Sequence, residues 1–510
     1  MEWNWNYVTC SILISLISVV WYSKRKNSYA RSNLPPGPRG WPIFGNFFDL
    51  GKLPHRSLEK LRDCYGPVVW LNLGPAKTMV VLSSGAAEEL YKNNDLSFAD
   101  RFQNDAMTSH DYYKSSMAIG LYSSYWRILK RLCTIELFTI KRINEAASIR
   151  RKCVDDMVSW IEKEAEKGES GGIEVVNYVF SAIFNIVGNL TVSRDLVDPQ
   201  STMSSEFNNS LSSLQECMLR LNISDLLPWL RRFDIQGIRK DMDECLGKAI
   251  EIMTGFVKER KEQRRRKQLD VSSEQRKDFL DVLLDYRGTS KDEPVKLTDH
   301  QLTIFLMEMF IAGTHTSSAT AEWAMSELLI NPDKLQKVKD ELARVIGGNR
   351  KLEESDLDNL PYLQATVEET LRLHPPGPLT LPRRAMHDTK FMGYNIPKGT
   401  QVFVNAWAIG RDKENWEDPL CFKPERFLNS SINYKGQSFE FIPFGGGRRI
   451  CPGLPLAHRM LPLLLGTLLH HFDWKLCDGK PEIDMMETMG LGTRKEKPLM
   501  AVPKRRKTLQ

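Results

Sequence analysis

Residues 444–453 read FGGGRRICPG, a run of three glycines followed four residues later by a cysteine. Three glycines let the backbone approach a flat ligand closely, and their N–H groups can face a sulfur atom. Pro452 is a favoured first residue of a helix, so the sequence predicts Cys451 at a helix N-terminus, where the positive end of the helix stabilises a thiolate. Cys451 is therefore a candidate metal ligand. For this segment alone, a glycine-rich turn with one buried cysteine is the alternative.

The composition is that of a globular protein with a large core. Of 510 residues, 42% are hydrophobic, 26% are charged and 9% are aromatic, which excludes collagen-like, coiled-coil and mostly disordered chains. The net charge of +6, from 70 basic and 64 acidic side chains, is small for this length and predicts no nucleic-acid partner. The nine cysteines include no CxxC pair, which argues against a disulfide framework or a four-cysteine zinc site.

The N-terminal sequence predicts a membrane anchor at residues 1–23. Residues 3–23 carry no charged side chain, and as a helix of ~1.5 Å rise per residue they span a ~30 Å hydrocarbon layer. Aromatic residues lie toward both ends and a basic stretch follows at 24–31, which predicts that the body lies on the cytoplasmic side. A cleaved signal peptide is the main alternative, but its basic residues precede the apolar run.

The chain after the anchor reads as a linker and one large domain. Residues 24–40 are first basic and then proline-rich, which predicts a stiff linker, and residues 41–510 form the domain. Within it, residues 67–82 predict two short strands joined by a turn at Gly74, and helical periodicity dominates from about residue 85 to about residue 375. The predicted fold class is mainly α with small β-sheets. Long helices are predicted at 144–166, 240–267 and 298–330.

A second chemical feature lies in the last of these helices, where residues 312–316 read AGTHT. Ala312 and Thr316 are one helical turn apart with Gly313 beside them, so one face combines small side chains with a hydroxyl. A small molecule such as O2 fits against a face of this kind. A stripe of small residues that serves only helix packing is the alternative.

Four motifs resemble those of the cytochrome P450 family of haem-thiolate monooxygenases, and they follow one another along the chain in the order that the family shows. The cysteine signature FxxGxRxCxG is matched in full, Glu369 and Arg372 match the ExxR pair, residues 424–427 match PERF, and AGTHT matches the distal motif. The resemblance implies the cytochrome P450 fold, haem b (iron protoporphyrin IX) as cofactor and Cys451 as the iron ligand. It also places four signature residues around the haem, namely Phe444, Gly447, Arg449 and Gly453.

The ExxR pair has a predicted structural role. Glu369 and Arg372 lie on one helical face, and Arg426 of the PERF segment can complete a charge cluster with them. A buried cluster of this kind fixes geometry more than it adds stability, and the loss of one partner leaves a desolvated charge that costs about 3 to 5 kcal/mol.

On the distal side, the resemblance implies that Thr316 is catalytic and helps to deliver protons to the reacting oxygen. His315 is a departure, because most relatives carry Asp or Glu at this position. A histidine can also relay protons, and because its charge changes near neutral pH, such a relay depends on pH. The alternative is that His315 points away from the iron.

Haem propionates need cationic partners. The resemblance implies that Trp126, Lys130, Arg383 and Arg449 supply the propionate site, with Lys130 in place of the usual arginine of the WxxxR helix. A lysine donates as a point charge and lacks the planar fork of arginine. Two neighbours are alternatives to Lys130, namely Arg127 and Arg131.

Electrons must come from another protein, because the chain contains no flavin or nicotinamide fingerprint. The resemblance implies the membrane-bound NADPH-dependent cytochrome P450 reductase as donor and the endoplasmic reticulum membrane as location, with a single-pass anchor and the catalytic domain on the cytoplasmic face. Lys130, Arg131 and Arg448 are candidates for a cationic docking patch. Ordinary surface charge is the alternative.

The chain looks most like plant microsomal members similar to geraniol hydroxylases and their alkaloid-oxidising neighbours. The implied substrates are O2 and a small apolar specialised metabolite, preferably a terpenoid, with an alkaloid or a phenolic as the alternative. An oxygen-independent isomerase or dehydratase and a non-catalytic haem-binding membrane protein are the alternative classes. Predicted substrate contacts are the loop at 102–121 together with Phe305, Met309, Ala312, Gly313, Pro378, Leu379, Met489 and Leu491.

Overall fold

The computed structural model describes residues 33–167, 172–199, 205–220, 222–267, 277–288, 291, 293–348, 350–477, 482–490 and 492–506, together with Ser11 and Ser15. The predicted anchor, apart from those two serines, and the linker before residue 33 lie outside this part of the chain. One described helix, Val175–Val192, is long and apolar enough to cross a membrane, but 72% of it is buried inside the protein. It is a core helix.

Helices dominate the described part, and the three long helices predicted from the sequence are confirmed as α7, α11 and α13. The helices are α1 Pro54–Glu59, α2 Arg62–Tyr65, α3 Ser84–Glu88, α4 Tyr112–Ser115, α5 Ser124–Leu132, α6 Ile140–Glu145, α7 Ala147–Glu166, α8 Val175–Val192, α9 Ser205–Leu219, α10 Ile223–Leu226, α11 Ile238–Lys267, α12 Phe279–Asp285, α13 Asp299–Ile330, α14 Pro332–Ile346, α15 Pro361–Leu373, α16 Ala406–Ile409 and α17 Leu454–His471. Shorter 3-10 or π turns cover Phe47–Leu50, Glu89–Asn93, Ala106–Asp111, Cys133–Leu137, Pro228–Phe233, Glu354–Asn359, Pro424–Phe427 and Gly447–Arg449.

The β-structure is small, as predicted. The strands are β1 Val68–Leu73, β2 Ala76–Val81, β3 Asp100–Arg101, β4 Ile173–Glu174, β5 Arg383–Arg384, β6 Thr389–Phe391, β7 Tyr394–Ile396, β8 Gln401–Val404, β9 Phe472–Leu476, β10 Glu487–Met489, β11 Thr493–Lys495 and β12 Met500–Arg505. They form a five-stranded sheet in the order β1-β2-β8-β5-β3, a three-stranded sheet β4-β12-β9 and two hairpins, β6-β7 and β10-β11. The predicted β1-β2 hairpin is antiparallel, with Val68 opposite Val81, whereas β2 and β8 run parallel.

Helix α13 runs through the centre of the core. Its start is fixed by a capping box in which Thr298 accepts a hydrogen bond from Gln301 N, while the Gln301 side chain accepts one from Thr298 N. Buried residues of its first half, such as Phe310, belong to one hydrophobic cluster, and those of its second half, such as Leu328, belong to another. Residues 312–316 lie between the two clusters, so the AGTHT segment is located where the core is interrupted.

Candidate active site

The cysteine loop is shaped by close backbone contacts at its glycines. Gly447 has a φ of +63°, and a Cβ there would lie 2.2 Å from Asp95 Oδ1, while a Cβ on Gly446 would lie 2.8 Å from the Tyr91 ring. Neither position has room for a side chain, and the left-handed backbone at Gly447 favours glycine in any case. The loop closes with a hydrogen bond of 3.1 Å from Cys451 N to the Phe444 carbonyl.

The helix after Cys451 starts later than predicted. It begins at Leu454 and has Pro455 in its first turn, so Pro452 precedes it. Two prolines, Pro452 and Pro455, lie near the helix start, and Pro455 is the one in the first turn of the helix. The N–H groups of Gly453 and Leu454 still point to the Cys451 sulfur. Burial raises the pKa of the Cys451 thiol, whereas these N–H groups and the nearby Lys130 ammonium act to lower it. The thiol therefore becomes a thiolate on binding a metal cation.

Three buried arginines form what we call the arginine cluster: Arg101, Arg383 and Arg449, which are 7%, 2% and 8% exposed. Burial and the charges of Arg383 and Arg449 lower the pKa of Arg101, and burial together with Arg383 lowers the pKa of Arg449 to about 9. The only carboxylate that hydrogen-bonds the cluster in the described structure is Asp95, at 2.8 Å from Arg383 Nη1. Because the positive charges repel one another, the cluster fits an anionic ligand.

Carbonyl oxygens hold the cluster in place. Arg449 donates to the carbonyls of Ala99, Met117 and Gly120. Arg101 donates to the carbonyls of Ala118 and Leu381. Sequence reasoning missed Arg101, because no motif marks it. The available signal was its place immediately before the loop at 102–121, which is predicted to face the substrate.

Trp126 contacts the cluster, whereas Lys130 is placed differently from the prediction. The guanidinium carbon of Arg449 lies 4.0 Å from the centre of the Trp126 ring. Lys130 Nζ donates to the Ile450 carbonyl at 2.6 Å, beside Cys451, and burial lowers the pKa of Lys130. Lys130 therefore bonds to the cysteine loop and does not belong to the arginine cluster. Arg101 is the third member of that cluster.

The AGTHT segment presents two of its residues to open space. Ala312 and Thr316 are exposed in the middle of a largely buried helix, and Thr316 Oγ donates to the Ala312 carbonyl at 2.6 Å. Gly313 faces elsewhere, since a Cβ on it would lie 3.4 Å from the Val187 side chain of α8. Its predicted substrate contact is therefore not supported, because Gly313 lies on the α8 side of the helix.

His315 also lies on the α8 side. Its ring centre is 4.9 Å from that of Phe180 in α8. Burial, with a contribution from the charge of Arg494, lowers the pKa of His315 to about 4. The imidazole does not share the exposed face of Thr316 and stays neutral near neutral pH. The predicted pH-dependent relay is therefore not supported, and the orientation away from that face is the one observed.

The predicted substrate contacts divide into exposed and buried positions. Phe305 is fully buried and packs against Phe279 at a ring-centre distance of 5.4 Å, so it is a core residue. Leu379 is also core, packed beside Trp407, and Pro378 is buried. Leu381, two residues further along the extended segment, is the side chain that is exposed, at 40%. Of the others, Met309 and Met489 are half-buried and Leu491 lies outside the described residues.

The ExxR cluster is fully assembled. Arg372 Nε and Nη2 donate to the two carboxylate oxygens of Glu369 at 2.6 and 2.7 Å, and Arg426 Nε donates to Glu369 Oε1 at 3.0 Å. Arg372 also donates to the carbonyls of Gly410, Pro419 and Cys421. Glu369 and Arg372 are inaccessible to solvent, so each depends on the other for compensation of its charge.

These features fit a planar iron cofactor with acidic side groups. Within the described ranges, no three His, Cys, Asp or Glu side chains are grouped to hold a metal ion. A metal bound to Cys451 would therefore take its other ligands from a cofactor. A half-buried thiol, an exposed small-residue face with a hydroxyl, and an arginine cluster in need of anions match the iron, the oxygen-binding side and the propionates of haem.

Comparison with known proteins shows the family of the chain. The family model "Cytochrome P450" matches residues 35–502. The chain is 51% identical to cytochrome P450 76A2 of Solanum melongena over 99% of this chain and 100% of that protein. It is 49% identical to the iridoid oxidase of Catharanthus roseus (96% and 95% covered) and 40% identical to the geraniol 8-hydroxylase of the same plant (98% and 99% covered).

Among solved structures, a zebra fish cytochrome P450 with progesterone superimposes with a TM-score of 0.74 at 27% identity, covering 88% of this chain and 99% of that one. Fold and site together define a haem-thiolate monooxygenase. The chain belongs to the cytochrome P450 family, and its cofactor is haem b.

Proposed function

We propose that this monooxygenase inserts one oxygen atom from O2 into a small apolar plant specialised metabolite, preferably a terpenoid, with Cys451 as the iron ligand. The observation that carries the proposal is the combination of the half-buried Cys451 thiol at a helix start, an arginine cluster and the exposed Ala312–Thr316 face. The preference for a terpenoid is supported by the named iridoid and geraniol oxidations of two relatives. Alkaloids and phenolics are the other outcomes of the substrate test.

Bound haem supplies oxygen activation, in which one substrate molecule, O2, two electrons and two protons give one hydroxylated product and one water. The residues of this chain bind the haem, leave room for the substrate and deliver protons. The arginine cluster binds the propionates, and the small side chain of Ala312 leaves room for the substrate. The Thr316 hydroxyl holds a proton at Oγ on the exposed face, and the Ala312 carbonyl orients it.

Electrons come from the NADPH-dependent cytochrome P450 reductase in this proposal, and residues 1–23 anchor the chain in the endoplasmic reticulum membrane with its catalytic domain on the cytoplasmic face. Arg131 and Arg448, whose side chains are 45% and 48% exposed, are the docking candidates. Lys130 is not included in this patch, because its Nζ donates a hydrogen bond to the Ile450 carbonyl. Electrostatic docking predicts that turnover falls steeply as salt rises, and a flat salt dependence would remove the patch.

The test is reconstitution of the full-length chain with the reductase in lipid vesicles, with NADPH and isotopically labelled O2. Geraniol, iridoid precursors, a benzylisoquinoline alkaloid and simple phenolics form the panel, and products are identified by mass spectrometry. We expect one labelled oxygen atom in a terpenoid product. A product that lacks the label would instead support isomerisation or dehydration, and a labelled alkaloid or phenolic product would replace the terpenoid as substrate.

A further inference from the structure

One carboxylate in α13 gathers hydrogen bonds from a segment about 190 residues away. Glu308 is 3% exposed. Its Oε1 accepts from Tyr112 Oη at 2.9 Å and from Ser116 Oγ, and its Oε2 accepts from Met117 N at 2.7 Å and Ala118 N at 3.3 Å. All four donors belong to residues 112–118, which we call the anchored segment.

The donors saturate this carboxylate. An ionised carboxylate has about four lone-pair positions, and four donors are present. No ion pair to Glu308 occurs among the described residues; burial raises the pKa of Glu308, and the four hydrogen bonds act to lower it. A protonated acid would turn its own O–H toward another donor. Glu308 is therefore not free to pair with a cationic substrate, and its interactions are directed to the anchored segment.

Glu308 links the anchored segment to the helix that carries Ala312 and Thr316. Glu308, Ala312 and Thr316 are spaced by four residues, so they follow one side of the helix, with Glu308 ~12 Å from Thr316 along the axis. At its other side, the anchored segment contacts the arginine cluster, because the Met117 carbonyl accepts from Trp126 Nε1 at 2.9 Å and from Arg449 Nη1 at 3.3 Å. The segment thus connects the oxygen-side helix to the propionate side of the proposed site.

We propose that Glu308 is a positioning residue that fixes the anchored segment as a wall of the substrate space and thereby sets which carbon of the substrate is oxidised. The inference rests on the proposed site around Cys451 and Thr316. Glu308 acts through the segment and does not touch the reacting atoms.

Three substitutions separate the loss of this anchor from general loosening of the loop. Glu308→Gln keeps the size of the side chain but replaces one acceptor oxygen with an NH2 group that faces other donors. Asp243→Asn is the matched control, since the exposed Asp243 accepts from Ser109 Oγ on the same loop, outside the anchored segment. Ser116→Ala, which removes one donor, is a milder variant in case Glu308→Gln does not retain haem.

The experiment measures hydrogen exchange at residues 105–121 in the full-length holoenzyme, the binding rate of 4-phenylimidazole to the haem, and the ratio of regioisomeric products. We expect Glu308→Gln to raise exchange at 112–118 about tenfold, as for loss of a charged hydrogen bond, to speed azole binding and to change the product ratio. Ser116→Ala should shift the same readouts less, and Asp243→Asn should leave them unchanged.

Exchange and azole binding need no substrate, so they test the inference even if the proposed substrate class is wrong. Exchange, azole binding and product ratio within twofold of wild type in Glu308→Gln, or equal changes in Asp243→Asn, would overturn it. If Glu308→Gln loses haem, unchanged exchange in Ser116→Ala would overturn it as well.

Discussion

The Arg449 guanidinium stacks on the Trp126 ring, with 4.0 Å between the guanidinium carbon and the ring centre. Trp126 Nε1 also donates to the Met117 carbonyl, which Arg449 contacts too. A desolvated cation–π contact contributes roughly 2 kcal/mol. The tryptophan of the WxxxR motif therefore supports the proposed propionate site through Arg449, even though the motif's usual arginine is absent.

Arg101 is predicted to bind haem although no sequence motif marks it. Arg101→Gln should weaken haem binding about tenfold or more, because a buried charged donor to a carboxylate is lost. Haem retention during dilution, followed by the Soret absorbance, is the measurement. Arg384→Gln is the matched control, since Arg384 is 32% exposed and pairs with Asp100. Equal haem loss in both variants would show that Arg101 has no special role.

Glu369→Gln is predicted to destabilise the folded protein by about 3 to 5 kcal/mol, because it leaves Arg372 buried without its charge partner. Urea unfolding of the holoenzyme measures the change. Glu368→Gln is the neighbouring control. Burial raises the pKa of Glu368 from 4.5 to about 7, so the folded state loses stability as pH rises through this range, and the cost is complete above about 7. At pH above about 7, this control should be neutral or stabilising, and a loss comparable to that of Glu369→Gln would contradict the account.

Thr316→Ala is expected to divert electrons from product to hydrogen peroxide, because the exposed face loses its hydroxyl. Product formed per NADPH should fall about tenfold or more, as for loss of a proton-transfer group. Thr320→Ala is the comparison, since Thr320 makes the same bond to a carbonyl one turn earlier but is 2% exposed. Coupling that is unaffected in Thr316→Ala would remove Thr316 from the proton pathway.

Coupling of the wild-type enzyme is predicted to show no histidine titration between about pH 6 and about pH 8. The pKa of His315 is lowered to about 4, below its ordinary value of 6.5, so the side chain remains neutral over this range. As pH falls, His315 is protonated in the unfolded chain before it is protonated in the folded protein. The folded state therefore loses stability as pH falls from 6.5 toward 4. A step in peroxide yield near pH 6.5 that disappears in His315→Asn would contradict the observed orientation.

Local patterns predicted much of the fold. Alternating and helical periodicity located β1, β2, α7, α11 and α13, and the glycine run located the cysteine loop. The ExxR contacts followed from spacing of three residues on one helix face. These features depend on neighbours along the chain, which a single sequence displays.

Positions that depend on distant partners were not predictable. Spacing alone does not say which side of α13 faces α8, so it left the orientation of His315 open and did not indicate that Gly313 lies toward α8. Phe305 shares the spacing of the exposed side but meets Phe279 of another helix. Glu308 finds its donors in a segment far away in sequence, and nothing in its own neighbourhood indicates them.

The most direct measurement of the central claim is the carbon monoxide difference spectrum of the reduced full-length protein and of Cys451→Ala. Wild type should show the red-shifted Soret band of thiolate-ligated haem, and so should Cys421→Ser, which alters an exposed cysteine. Cys451→Ala should lose that band. Retention of the red-shifted band after Cys451→Ala would contradict the assignment of this sulfur as the iron ligand.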